Sequence, residues 1–364
     1  MKPFMPVLSS LKNPDFKIVH YEIIKKDYQI EIDTTLTQSF NQLKEIGVME
    51  IVDEIIEISA IATKERQLES QLNKMNDEWK SVKFDLAEYR DSEVHVLQGV
   101  QTIWDLLDEH IQKTMIIASS PYAKFFLSEA LYWKSRLVKV QEILEEWSRS
   151  QRGWCYLWPI FNSPDIQGQL PEVYLTFTSM DKMWRIIMSQ TIANPMVLDA
   201  CNQHRVFENL QYCNETIENV KKKLNEYLHS KQLLFPRFFF LSNDDLLHIL
   251  SQTKDPVRVQ DHLNKCFEGI QLLNFTDTSL IVTSMISAMG EEVVFNATID
   301  PFVIKVHKET IDETYEDGPT GRTRHRSRVV ETTVKEVRAI EDWLSDVEFQ
   351  MRDSLRSNIT ASTV

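Results

Sequence analysis

Glycine is scarce in this chain, with 8 among 364 residues. Because all-β turns and phosphate-binding loops depend on glycine, this shortage favours helices. No Gly-Lys dipeptide occurs, which excludes a phosphate-binding loop of the GxxxxGK[ST] form, and the motifs GxSxG and HExxH are absent as well. The sequence therefore predicts no catalytic, cofactor-binding or metal-ligating residues and no enzyme activity of its own. A Ser-His-Asp arrangement assembled from distant positions stays open at this stage.

Cysteines, basic residues and long apolar runs are also limited. The four cysteines form no CxxC pair, which favours reduced thiols in a large intracellular protein. Lysine and arginine total 40 against 54 acidic residues, a net charge of −14, so a general nucleic-acid binder is disfavoured. No run approaches the ~18 apolar residues of a membrane span, and the N-terminus lacks a signal sequence. We expect neither nucleic-acid nor membrane partners.

Apolar residues recur with helical spacing over most of the chain. The clearest stripe steps by four and three residues from Phe126 to Trp147, which places seven apolar side chains on one helix face. The alternative interpretation of this stripe is a cluster of aromatic side chains that binds a cofactor. A second stripe runs from Phe207 to Tyr227, and two shorter helices are predicted over 37–58 and 64–82. These patterns indicate a mainly α protein built from helix bundles.

Prolines mark the segments where we expect helices to stop. Three of them in the first 35 residues predict a lead-in without helix. Pro159, Pro164 and Pro171 predict a packed connector that ends near a short helix around Lys182 to Met188.

The segment “LFPRFFFLSNDDLLHIL”, residues 234–250, combines an aromatic run with an acidic one. Pro236 excludes the aromatic run from a helix interior, so we expect its phenylalanines to be buried between helix bundles. Ser242 followed by Asp245 matches a capping box with Asp in place of Glu. The carboxylates of Asp244 and Asp245 are therefore interpreted as helix caps and not as an acid/base pair.

The composition of the sequence changes after residue 274, where short segments rich in β-branched residues indicate strands. “YEDGPTG”, residues 315–321, predicts a turn, and Arg322, Arg324, Arg326 and Arg328 then alternate with a period of two. We favour a hairpin strand with one exposed basic face; a nucleic-acid or nuclear-localisation patch is the alternative. A closing helix is predicted over 334–356, followed by a frayed tail.

Five stretches together resemble the linker region of dynein heavy chains, in that region's order and over about residues 5–357. They are “SSPYAKFF”, “WSRSQRGWCYLWPIFNSPDIQGQLP”, “FPRFFFLSNDDLLHILSQTKDPVRVQDHLNKCFEGI”, “GEEVVF” and “VRAIEDWLSDVEFQM”. The sequences of these stretches are more similar to axonemal chains than to the cytoplasmic motor, and among axonemal chains they are similar to the inner-arm type. The chain departs from the family at His20-Tyr21, at Trp158 and in the loop around residues 315–328.

The resemblance implies an elongated stack of helix bundles with a small β element near residues 275–335. Its function would be that of a mechanical lever, which transmits ATP-driven changes of an ATPase ring into microtubule-based movement. The ring should follow this chain and a tail should precede it. The alternative is a stand-alone helical scaffold or adaptor. The predicted divisions are 1–35 as lead-in, 36–157 and 158–273 as helical parts, 274–335 as the β element, and 336–364 as the closing helix.

The resemblance also implies partners and a location. The partners would be the ATPase ring of the same heavy chain, dynein intermediate, light intermediate and light chains, and microtubules through the parent motor. The location would be the cytoplasmic cytoskeleton and the axoneme of cilia or flagella, and no cofactor is expected. We predict bending joints at 159–171 and 232–241, with Phe235, Phe238, Phe239 and Phe240 packing a seam beside the second joint.

Overall fold

The computed structural model describes residues 5–33, 38–251, 255–317 and 322–362, with Phe40, 306–317 and 322–333 described by their backbone alone. In these ranges the chain forms thirteen α-helices and seven strands, so the predicted mainly α class with small sheets is confirmed. The helices are α1 (Met5–Leu11), α2 (Ile18–Tyr28), α3 (Phe40–Glu45), α4 (Val52–Trp79), α5 (Val100–Ser119), α6 (Leu127–Phe161), α7 (Pro164–Gln169), α8 (Pro171–Ala193), α9 (Val197–Ala200), α10 (Val206–Leu234), α11 (Asn243–Leu250), α12 (Gln260–Cys266) and α13 (Ile340–Ser362).

The strands form three small antiparallel sheets among the described residues: a β1–β2 pair, a three-stranded sheet in the order β3-β4-β5, and a β6–β7 hairpin. In the hairpin, Phe302 pairs with Val337 at one end and Asp317 with Arg322 at the other. The strands are β1 (Asp85–Glu88), β2 (His95–Gln98), β3 (Leu272–Phe275), β4 (Val282–Ile286), β5 (Glu292–Ile299), β6 (Phe302–Asp317) and β7 (Arg322–Val337).

The residues divide into two compact units. The first unit consists of Met1–Gln151 and Met183–Tyr212, and the second of Arg152–Lys182 and Cys213–Val364. In the first unit, α1, α2 and the start of α4 enclose an apolar cluster around Val7, Ile24 and Ile55, each of them fully buried. In the second unit, α13 packs on β5, and the amide of Asn296 donates to Ser354 Oγ at 3.0 Å.

The two long apolar stripes are buried as predicted. All seven residues from Phe126 to Trp147 at the stripe positions are buried, six of them within α6. Along α10 the middle of the stripe, from Leu210 to Leu224, is buried, whereas Phe207 and Tyr227 at its ends are only half-buried. Apolar side chains at this spacing face one side of a helix, which is why the period alone identified them.

Prolines interrupt the helices less than the sequence suggested, and the predicted connector at 159–171 is wrong. Helix α6 continues through Pro159, which lies in its last turn, where a missing amide hydrogen affects a single hydrogen bond. Pro164 and Pro171 begin α7 and α8, a position at which no amide hydrogen is needed. Helix α8 accordingly has 23 residues instead of the short helix expected around Lys182 to Met188.

Other boundaries also differ from prediction. The lead-in contains α1 and α2, because Pro6 lies in the first turn of α1. The helix expected over 37–58 is divided near Gly47 (φ +85°), and its second part joins the next helix in the 28-residue α4 through the alanine-containing “SAIAT”. Helix α13 begins at Ile340 because β7 pairs as far as Val337, and it continues through Ser362.

The predicted hairpin is confirmed in its backbone, and the pair β1–β2 and the strand β3 were missed. Residues 318–321 of the predicted turn lie outside the described residues, as do the side chains of the four alternating arginines.

Candidate functional site

The chemistry-bearing side chains of the second unit concentrate where α10 ends and α11, α12 and α13 pack around it. We call residues 235–240 the aromatic turn. After Phe235 the chain forms a 3-10 turn over Pro236–Phe240, and the turn ends before Ser242. Phe235 and Phe238 are buried with ring centroids 4.9 Å apart, and Phe267 adds a third buried ring 6.1 Å from Phe235.

The other two phenylalanines of the aromatic turn point to solvent, so the prediction that all four are buried is wrong. Phe239 is 52% exposed and Phe240 is 72% exposed. A 3-10 helix has three residues per turn, so Phe235, Phe238 and Leu241 share one face and the intervening residues do not. Leu233 and Leu234, at the end of α10, are exposed to a similar degree. Four large apolar side chains at and after the end of α10 are thus exposed, and exposed side chains of this kind can contact another surface.

Two charged contacts attach the aromatic turn and the end of α10 to α13. Lys231 Nζ forms an ion pair with Glu341 Oε1, and Glu341 is almost fully buried. Arg237 Nε lies 3.3 Å from Glu348 Oε2, and its Nη1 donates to the carbonyl of Cys266 at 3.0 Å. The same guanidinium lies 4.8 Å from the centroid of Phe267, a cation–π contact. Because Glu341 is buried, leaving its carboxylate unpaired would be costly, so its ion pair with Lys231 favours one arrangement of α10 and α13.

Ser242 caps α11 as predicted, whereas Asp244 and Asp245 lie in the first turn of the helix, so the interpretation of their carboxylates as caps is wrong. Ser242 Oγ accepts a hydrogen bond from the amide of Asp245 at 3.1 Å, and α11 begins at Asn243. The reciprocal contact differs from a standard capping box, because the Asp245 carboxylate accepts from Ser242 Oγ at 2.8 Å. Lys265 Nζ also donates to Asp245 at 2.8 Å, and these hydrogen bonds lower the pKa of Asp245 to about 2.

Two histidines join α11 to α12 close to this cap. His248 Nδ1 lies 3.1 Å from His262 Nε2, and His262 Nδ1 lies 3.7 Å from Asp245 Oδ1. Burial, and secondly the neighbouring His248, lower the pKa of His262. The described ranges hold no cluster of three or more His, Cys, Asp or Glu side chains placed to coordinate a metal ion.

Buried histidines of the first unit have structural roles. His20 Nε2 lies 2.9 Å from Glu65 Oε2, and both side chains are buried. His110 accepts from Trp79 Nε1 at 2.9 Å, and burial lowers the pKa of His110. His20 thus connects α2 to α4, and His110 connects α5 to α4.

The four cysteines are free thiols. Burial raises the pKa of Cys201 and of Cys213 to about 12 and that of Cys266 to about 11. Thiols with such values are protonated at neutral pH and are therefore unreactive. Cys155 is half-buried.

The sequence alone predicts no site residues, and it does not indicate the contacts of Lys231, Arg237, Glu341 and Glu348. The paired residues are separated by 110 and 111 positions, so no local pattern connects them. Among the described residues, every helix is either too short or too polar to serve as a membrane span.

Comparison with known proteins agrees with the resemblance noted in the sequence. The family described as dynein heavy chain, N-terminal region 2, matches residues 1–362. Dynein axonemal heavy chain 3 of Homo sapiens is 42% identical over 300 residues, which cover 82% of this chain and 7% of that protein. Dynein axonemal heavy chain 12 of Mus musculus is 38% identical over 341 residues, which cover 94% of this chain and 10% of that protein.

A third relative, dynein axonemal heavy chain 1 of Rattus norvegicus, is 39% identical over 300 residues, which cover 82% of this chain and 7% of that protein. The chain thus spans a tenth or less of the length of these relatives. Nearly the whole chain matches one region of one family, and the expected axonemal type agrees with the relatives. The chain belongs to the dynein heavy chain family, to whose N-terminal region 2 it corresponds.

Proposed function

We propose that this chain is the mechanical linker of an axonemal dynein heavy chain and works as a lever. It would convert ATP-driven changes in an attached ATPase ring into movement along microtubules, without catalysis of its own. The observation that carries the proposal is the match of residues 1–362 to the N-terminal region of dynein heavy chains. The axonemal relatives support a location in the axoneme of cilia or flagella.

Stiff elements support the lever role. Helix α6 has 35 residues and α10 has 29, which at ~1.5 Å per residue gives lengths of about 50 Å and 40 Å. Both helices bury continuous apolar stripes, and Trp133 and Trp147 on α6 are among the buried residues. A close-packed interior resists compression and transmits strain, as a lever requires.

The attachment of α13 supports a load path within the second unit. The proposal places the ATPase ring after α13, so force from the ring would enter through this helix. The ion pairs Lys231–Glu341 and Arg237–Glu348 connect α13 to the end of α10 and to the aromatic turn. They would pass the load on to α10, most of which lies in the second unit. Among the described helices that lie mostly in this unit, α10 is the longest.

The bending joints at 159–171 and 232–241 stay predictions. The second segment contains four exposed apolar side chains, Leu233, Leu234, Phe239 and Phe240, which are suited to contact the ATPase ring. Dynein intermediate, light intermediate and light chains would be partners of the assembled complex, and microtubules would be bound only by the parent motor. The inner-arm type also stays a prediction.

The proposal is tested by comparing an intact full-length heavy chain with one from which residues 1–362 are removed. ATP turnover should be retained within a few-fold, because the catalytic groups lie elsewhere, and gliding of microtubules over the surface-bound motor should be lost. Unchanged gliding would contradict the lever role. Loss of ATP turnover in the truncated motor, with measurable turnover by this chain alone, would contradict the absence of catalysis. A stand-alone scaffold, the alternative, predicts that neither activity depends on this segment.

A further inference from the structure

A groove opens on the first unit beside the outer face of α6. It has a volume of about 530 Å³ and lies between α6 and the segment that leads into α10. Its apolar lining includes Leu131 and Val138 from α6 and Phe207 from α10. Leu131 is 49% exposed, and the other two side chains are half-buried. This volume lies within the range of pockets that take up ligand or peptide side chains.

Basic side chains surround this apolar floor. Lys134 and Lys139 extend from α6, and Arg205 stands at the opposite wall, directly before α10. Arg136 lines a small cavity that adjoins the groove through Lys139. Two acidic residues, Glu142 and Glu208, also line the groove. The groove and its neighbour therefore carry four basic and two acidic side chains, on a chain whose net charge is −14.

Three of the basic residues are unpaired. In the described part of the chain, Lys134, Lys139 and Arg205 have no acidic partner within 4.0 Å, although many surface lysines do have one. Arg205 is also held in the left-handed region, with φ +56°, a backbone conformation that is strained for an arginine. Unpaired cations beside exposed apolar surface are complementary to a ligand that supplies both carboxylates and an apolar side chain.

We propose that this groove binds an acidic peptide segment of a partner protein, in which one or two apolar side chains are flanked by aspartate or glutamate. The apolar side chains would occupy the floor formed by Leu131, Val138 and Phe207. The flanking carboxylates would pair with Lys134, Lys139 and Arg205. Elsewhere the acidic surface of the chain repels such a segment, so the groove would also determine where it binds.

The occupant is a partner and not a small anion, because a small anion would use the cations and leave the apolar floor exposed. The carboxylates of Glu142 and Glu208 would further restrict how the peptide lies in the groove. They would face its backbone amides or hydroxyl groups and exclude a carboxylate from their own end of the groove.

The test uses the whole chain and a panel of fluorescein-labelled synthetic peptides of twelve residues. Each peptide carries leucine or phenylalanine flanked by glutamate, and each has a counterpart with lysine in place of glutamate. Fluorescence anisotropy should show saturable binding of acidic peptides, about tenfold tighter than their basic counterparts. Affinity should fall about tenfold between 50 and 300 mM NaCl, since surface charges are screened.

Matched variants locate the binding. Lys134→Glu with Arg205→Glu should weaken binding at least tenfold. The control, Lys26→Glu with Lys222→Glu, makes the same change of net charge at exposed positions away from the groove and should change affinity less than twofold. Leu131→Ser should weaken binding about fivefold, which a site for a simple anion would not show.

Arg205→Gly removes the side chain while relieving the left-handed backbone, so it should lose affinity without losing stability. The proposal is overturned if no acidic peptide binds more tightly than its counterpart, or if the groove and control variants lose affinity equally. It is also overturned if sedimentation velocity shows a dimer of this chain that Lys134→Glu with Arg205→Glu abolishes, because the occupant would then be a second copy.

Discussion

The contribution of the ion pair between Lys231 and Glu341, which attaches α13 to α10, can be measured as a change in the free energy of unfolding. Glu341 is 4% exposed, and its Oε2 has no hydrogen-bond partner among the residues that the structure describes, so its charge depends on Lys231 for compensation. Lys231→Met keeps the aliphatic stem but leaves the buried carboxylate unpaired. Removal of one partner of a buried pair typically costs about 3–5 kcal/mol.

The double variant separates the pair from the burial of a charge. Lys231→Met with Glu341→Leu removes both charges and fills the same space with apolar atoms, a change that is often neutral or stabilising. We therefore expect the free energy of unfolding of the double variant to lie within about 1 kcal/mol of the unmodified chain. The single Lys231→Met variant should be clearly less stable than the double variant.

The stability of both variants is measured by urea denaturation. Tryptophan fluorescence is the readout, because Trp343 lies two residues from Glu341 and is buried. The chain has two compact units, so the transition that shifts in the single variant is the one to analyse. A loss below about 1 kcal/mol in Lys231→Met would show that Glu341 is solvated when unpaired. Equal losses in the single and double variants would show that the loss does not come from an unpaired buried carboxylate, and would contradict the role given to the ion pair.

Three further predictions concern other parts of the chain. Trp147→Ala, at a fully buried position of the α6 stripe, should cost about 3–5 kcal/mol in urea denaturation, whereas Tyr132→Ala at a 63% exposed position of the same helix should cost less than about 0.5 kcal/mol. The pKa of Asp245 is lowered to about 2, so its charged form stabilises the folded state above the unfolded pKa of ~3.9 and this contribution is lost as pH falls towards 2. The stability advantage over Asp245→Asn should therefore shrink steadily as the pH falls from 4 to 2, and an advantage that does not change over this range would refute the pairing with Lys265. Of the four thiols, Cys155 alone should react quickly with a thiol reagent at pH 8 in the folded chain, and Cys155→Ser should abolish this fast phase.

The sequence was informative wherever a period or a local cap determines structure. The α6 stripe and the Ser242 cap depend on residues within one or two helical turns of each other, so their spacing predicted the outcome. The aromatic turn shows where such reasoning failed. A spacing of three assigns Phe235 and Phe238 to one face and Phe239 to another, whereas a uniformly apolar run predicts that all of them are buried.

Long-range contacts could not be predicted in this way. Arg237 meets Glu348 across 111 positions, and the groove between α6 and α10 is formed by residues about 70 positions apart. Such contacts depend on how helices pack, and a single sequence carries no local signal for them. Proline rules also misled, because Pro159, Pro164 and Pro171 occupy helix ends, where proline is tolerated.

The lever role itself is tested most directly by a distance measurement in the full-length heavy chain. One dye is attached through Glu226→Cys, an exposed position on α10, in a Cys155→Ser background, and a second dye is placed in the ATPase part of the same heavy chain. A lever predicts two discrete transfer efficiencies that alternate with the nucleotide bound to the motor. A single efficiency in every nucleotide state, while the motor still drives gliding, would contradict the account.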